Sequence, residues 1–165
     1  MNSFISCALR AFTDPGQSTH SRPGRASQLL AHAQSLALLL ARLYTANVFF
    51  LSGLTKLRDW STTLALFESE YAVPLLPPEL AAWAGTGGEL ILPILLVLGL
   101  TGRFAALGLS VVNVMAVLSL SEIAPAALLG HQLWGVLLLL LLLWGAGRYS
   151  VDAWLQRRFT PAAES

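Results

Sequence analysis

One cysteine, two methionines and three histidines in 165 residues leave little from which to build a metal or redox centre. Cys7 alone can form neither an internal disulfide nor a CxxC pair, so dithiol chemistry is not expected from this polypeptide by itself. Two methionines and one cysteine do not make a soft copper site, and no metal site is expected. A haem held between two axial histidines needs them at matched depth, whereas His20 and His32 belong to the N-terminal tail or its junction and only His131 falls in a span region. No HExxH, phosphate loop or GxGxxG is present, so no nucleophile or cofactor cradle can be named. Charge is scarce as well, at 12% of residues against about 25% in a soluble domain. With a net charge of +1 and no basic block, a nucleic-acid partner is excluded.

Apolar sequence is what the chain has in abundance: 55% hydrophobic residues and a mean hydropathy of +0.64. At about 20 residues per span, about four membrane helices use nearly all of it. The expected fold class is therefore an all-α membrane protein, a four-helix transmembrane bundle with short interfacial helices. Span one is read at about residues 35–57, span two at 80–100 after "PLLPPE", span three at 103–120 and span four at 131–147. The first long apolar run begins near Leu36 with no small-residue cleavage site after it, so it is expected to stay in the membrane. Residues 1–33 read as a mobile cytoplasmic tail, 34–148 as the four-span domain and 149–165 as a cytoplasmic amphipathic tail. Trp60, Leu64, Phe67 and Tyr71 recur at helical spacing, which predicts a short helix on the outer membrane surface.

Basic residues set the orientation. Arg10, Arg22, Arg25, Arg103, Arg148, Arg157 and Arg158 fall on the side shared by the termini and the short middle loop, against Lys56 and Arg58 on the other. Both termini are expected to be cytoplasmic.

Polar side chains inside such spans are costly and therefore informative. Arg42, Thr45, Phe49, Ser52 and Lys56 fall within about 80° of one another on a helical wheel, forming a polar stripe that should face other helices. Glu89 follows the "GTGG" that lets a neighbouring helix approach, and Asn113 lies in span three. Counting about 1.5 Å per residue from the cytoplasmic end puts Arg42 about 10 Å deep, Asn113 about 15 Å and Glu89 about 16 Å. Arg42, Glu89 and Asn113 are thus expected to form one intramembrane cluster with Arg42 paired to Glu89. On the same count Lys56 and His131 lie about 25–30 Å deep and form a second cluster at the outer interface. Each group has a structural reading beside the functional one: a pair that sets helix register, an interhelical amide, a helix-start histidine.

The segments "RLYTANVFFLSGLTKLRDW", "GTGGELILPILLVLGLTGRFAALGL" and "GAGRYSVDAWL" resemble the DoxX family of small four-span membrane proteins, over about residues 36–156. That resemblance marks Arg42, Gly53, Lys56, Glu89 and Asp152, and implies a multi-pass protein of the bacterial inner membrane in a redox- or sulfur-linked setting. Some relatives belong to quinone-linked thiosulfate oxidation or to membrane-associated oxidoreductase assemblies. The expected function is a membrane component or anchor of a redox-linked assembly, without independent catalysis, with the lipid bilayer and oxidoreductase subunits as partners. No cofactor is expected in the chain itself. The alternative is a quinone-interacting oxidoreductase subunit, and a third reading is a small-solute or proton pathway, for which four spans would need a homo-oligomer.

Overall fold

The computed structural model describes residues 25–159, which form six helices and no strand. They are α1 (Arg25–Arg58), α2 (Trp60–Ser69), α3 (Pro78–Leu98), α4 (Gly102–Leu118), α5 (Pro125–Trp144) and α6 (Val151–Phe159). Three of them, α1, α3 and α5, are long and apolar enough to cross a membrane, and α4 is a shorter apolar helix. Much of the rest of the expected N-terminal tail, including Cys7 and His20, lies outside the described residues. The helix nevertheless begins at Arg25, inside the stretch read as tail, because no Gly or Pro follows Gly24 until Gly53.

The most extensive contact joins α1 to α3, followed by α4 to α5 and α3 to α4. Small residues make this possible. A Cβ on Gly53 of α1 would lie 2.9 Å from Leu90 Cγ and 3.1 Å from Glu89 Cβ, so the two helices touch at that level. Where α3 meets α4, a Cβ on Gly108 would lie 2.7 Å from Leu92. The main core gathers Leu38, Ala46, Phe49, Leu96, Leu109 and Leu138, while Phe67 of α2 packs separately on Ala81 and Ala82 of α3. The outward faces carry exposed leucine, isoleucine and valine throughout, the inverse of a soluble protein and the surface lipid requires.

Helix ends are capped in recognisable ways. Pro78 and Pro125 occupy the first turns of α3 and α5, where a missing N–H costs nothing. Helix α3 ends in a Schellman motif: Gly99, at φ 64°, donates to Leu96 O and Leu100 donates to Leu95 O. Helix α2 starts at Asp59, whose carboxylate accepts from the Thr62 amide and from the Ser61 and Thr62 hydroxyls. These bonds hold the Asp59 carboxyl down to about 2, the Thr62 amide contributing most. The predicted short helix over Trp60–Phe67 is present, and its apolar side faces α3: Trp60 and Trp83 stack with ring centroids 4.1 Å apart. The C-terminal amphipathic segment is helical over Val151–Phe159.

Candidate functional site

Glu89 sits at mid-length in α3 and is nearly enclosed, yet its partner is not Arg42. Its Oε2 pairs with Lys56 Nζ at 2.5 Å, and Lys56 also donates to Ser52 Oγ at 3.0 Å, one turn back on α1. The expected Arg42–Glu89 pair is therefore corrected, and the reason is register. Gly53 lies level with Glu89 and Leu90, whereas counting both spans from one plane puts Gly53 about 27 Å deep and Glu89 about 16 Å. Helix α1 is thus shifted by about 11 Å, two turns, relative to α3. The shift carries Lys56 down to Glu89 and Arg42 to the bundle's edge. Helix α2 fills the space above, against the first half of α3.

At that edge Arg42 is fully enclosed and acts on the backbone. Its Nη1 donates to Leu96 O and Val97 O at 3.4 Å each, and its Nη2 donates to Tyr149 O at 2.5 Å. A cation is thereby placed on the carbonyl end of α3, the favourable end for positive charge. Asp152 does the converse at the start of α4, accepting from the Thr101 and Gly102 amides at 2.9 and 3.0 Å while its own amide donates to Gly99 O. Arg42 ties α1 to the end of α3 and to the segment before α6, and Asp152 ties the first turn of α6 to the α3–α4 turn. Arg103 caps α5 in the same sense by donating to Leu143 O.

Asn113 and His131, expected in different clusters, bond to each other. Helix α5 begins at Pro125, six residues before the expected start, so His131 lies about 9 Å along it and comes level with Asn113 of α4. Asn113 Nδ2 donates to the His131 backbone carbonyl at 2.9 Å, which turns its Oδ1 toward His131 Nδ1 at 2.8 Å. Because Oδ1 only accepts, the imidazole must carry a proton on Nδ1. Among the described residues nothing bonds Nε2. Trp134 packs edge-on against the same ring at 5.0 Å and against Phe49 at 5.9 Å.

The Lys56–Glu89 pair and His131 line one cavity of about 370 Å³ between α1, α2, α3, α4 and the start of α5. Ser52, Tyr71 and Ser119 supply its other polar lining, and Phe67, Val111, Val112 and Met115 much of its apolar wall. Two loops meet over it, where Ala72 donates to Ser119 O and Tyr71 bridges Leu120. Burial, with Glu70 and Glu89 nearby, pushes the Tyr71 phenol up, so its hydroxyl remains a donor. A further feature at Glu89 went unread in the sequence: Pro93, four residues on, lacks the N–H that would bond the Glu89 carbonyl. Among the described residues no three of His, Cys, Asp and Glu come together to hold one metal ion. The cavity suits a small ligand with a largely apolar body and a few polar atoms, the usual make-up of a ligand pocket.

An all-helical bundle with apolar outer faces and a half-open cavity of mixed polarity between its helices defines an integral membrane protein. The DoxX family model matches residues 37–122, from the inner part of α1 through α4. An uncharacterized protein of Haemophilus influenzae is 31% identical over 131 residues, covering 74% of this chain and 85% of the relative. The chain belongs to the DoxX family. Arg42, Gly53, Lys56 and Glu89 lie inside the family match, whereas Asp152 lies beyond it. No solved structure matches the chain.

Proposed function

We propose that the protein is a multi-pass component of the bacterial inner membrane, with both termini cytoplasmic, that serves a redox-linked assembly by holding a lipid-soluble ligand in the cavity of Lys56 and Glu89. The cavity itself carries the reading: about 370 Å³ of space with an ion pair in an otherwise largely apolar wall. A pair needed only for helix packing would be expected in close-packed surroundings, not at the edge of open volume. The redox setting rests on the family. Orientation follows from charge, since Arg103, Arg148, Arg157 and Arg158 gather at the end that carries α6 and the acidic loop residues Glu68, Glu70, Glu79 and Glu122 at the other.

A quinone is the second reading, favoured by two donors on one cavity, the Lys56 ammonium and the Tyr71 hydroxyl, with the His131 ring beside them. Lys56 and Tyr71 are the groups placed to donate to a carbonyl.

The test is purification of the full chain from inner membranes in mild detergent, beside Gly85→Leu. A Cβ at Gly85 meets only Phe67 at 3.7 Å, so the larger side chain has room to occupy cavity volume. The native chain should retain a small lipid-soluble molecule and a partner that bears a redox cofactor, and Gly85→Leu should lose the small molecule while remaining folded. Retention of neither by the native chain refutes the proposal.

A further inference from the structure

Helix α1 is 34 residues long, about 51 Å, against a hydrocarbon core of about 30 Å. Its first turns run past the bundle, and there Leu29 and Leu30 are 71% and 72% exposed. Among the described residues nothing shields these leucines, and they lie beyond the level at which α1 meets the end of α3. Further along, inside the span, Asn47 points outward. It lies five residues beyond Arg42 and six short of Gly53, so it is at hydrocarbon depth. Among the described residues no group bonds its amide. Lipid offers an amide no partner, and asparagine is too short to reach the headgroups.

These two oddities fall on one line. Leu29, Ala33, Leu36, Leu40, Leu43 and Asn47 are all exposed and follow one another at intervals of four, three, four, three and four residues. That is a heptad seam, with Leu29, Leu36 and Leu43 at d and Ala33, Leu40 and Asn47 at a. The positions that flank it toward the bundle, Ala46 and Gly53, are buried, so the seam is the face of α1 that no other described residue covers.

We infer that α1 is the interface of a parallel, two-fold homodimer in which Asn47 of one copy hydrogen-bonds Asn47 of the other. The occupant is a second copy because the seam is self-complementary. An amide is donor and acceptor at once, so a two-fold axis beside Asn47 lets each side chain satisfy the other with no further residue required. Copies inserted in the same orientation are parallel, the arrangement in which equivalent a positions face each other. From Leu29 to Asn47 the seam runs about 27 Å and is about 10 Å wide, burying about 540 Å² over both copies, the size of a weak and reversible interface. The two halves of the seam contribute differently. The leucines gain from contact only where α1 leaves the hydrocarbon, since within lipid a leucine is already solvated. There the asparagine pair is the attractive contact. In water an asparagine at a costs stability, and here it supplies it.

The experiment uses the full chain with Cys7→Ser in native membranes and in nanodiscs. Single cysteines at Leu36 and Leu43 should give oxidant-induced dimers, and one at Ile91, more exposed than either but on α3, should not. Mass measurement of single particles in nanodiscs should find dimers, and Asn47→Leu should weaken them about 5- to 20-fold, the range of one or two interhelical hydrogen bonds in lipid. Asn47 is exposed and its side chain bonds no group among the described residues, so the variant should melt close to the native temperature once monomeric. A strictly monomeric chain, dimers indifferent to Asn47→Leu, equal crosslinking at Ile91, or crosslinks only to a different protein would each overturn the inference.

Discussion

Removing either member of the Lys56–Glu89 pair should cost far more than removing both. Side-chain exposures of 22% for Lys56 and 8% for Glu89 put the pair near the buried limit. In that limit one charge left alone costs about 3–5 kcal/mol, against about 0.2–1 kcal/mol for an exposed pair. The cavity beside the pair admits some relief, so Lys56→Met and Glu89→Leu are each expected to destabilise by about 2–4 kcal/mol. The double variant should lose only about 1 kcal/mol, the remainder being the Ser52 contact and imperfect packing. The coupling is then about 3 kcal/mol or more, well above the about 0.5 kcal/mol of additive sites. Arg42 provides the control. Its guanidinium is bonded to carbonyls of Leu96, Val97 and Tyr149, so Arg42→Leu and Glu89→Leu should add within about 0.5 kcal/mol. Unfolding by graded SDS in mixed micelles gives all the required free energies. Additivity at 56 and 89 with coupling at 42 and 89 would refute the register on which the site rests.

Three further outcomes follow from the same geometry. Gly53→Ala forces Leu90 aside, and overpacking of about 1–3 kcal/mol should exceed the about 1 kcal/mol gained in helix propensity, whereas Gly87→Ala, with no atom within 4 Å of its Cβ, should stabilise by up to about 1 kcal/mol in the same unfolding assay. Asp59 has its carboxyl lowered from 3.8 to about 2 on folding, so its cap on α2 is at full strength above about pH 4 and is lost as pH falls through about 2; fluorescence of the stacked Trp60–Trp83 pair should report the change in the native chain and stay flat in Asp59→Asn. Asp152→Ala should cost about 1–2 kcal/mol through the Thr101 and Gly102 amides it leaves open, and hydrogen exchange should quicken at those two amides first.

The bundle was legible in the sequence because lipid permits few solutions. Apolar runs of span length bounded by proline, glycine and arginine place the four long helices with six of their eight ends within three residues, and the spacing of Trp60, Leu64 and Phe67 places α2. Boundaries slipped where a local signal was passed over. Pro125 marks the first turn of α5, whereas the apolar run alone points to His131; the continuous "RASQLLAHA" falls in the expected tail although nothing in it breaks a helix. Both errors moved a polar residue in depth, and for His131 this separated it from its partner Asn113.

The pairing of charges was not legible, for a physical reason that reaches beyond these residues. Depth counting treats every span as ending in the same plane, but α2 follows α1 after a single residue and occupies the upper level beside α3, so α1 must end about two turns lower. Gly53 was the trace of this in the sequence: a glycine within an apolar span marks close approach, and the residues it approaches are Glu89 and Leu90. Once that contact sets the register, Lys56 is one turn from it and meets Glu89, and Arg42, three turns the other way, meets the end of α3. The short helix that lowers α1 also roofs the space it vacates, since Phe67 and the Tyr71 loop line the cavity from above. The displaced register, the ion pair and the cavity are therefore one consequence of inserting α2 between two spans.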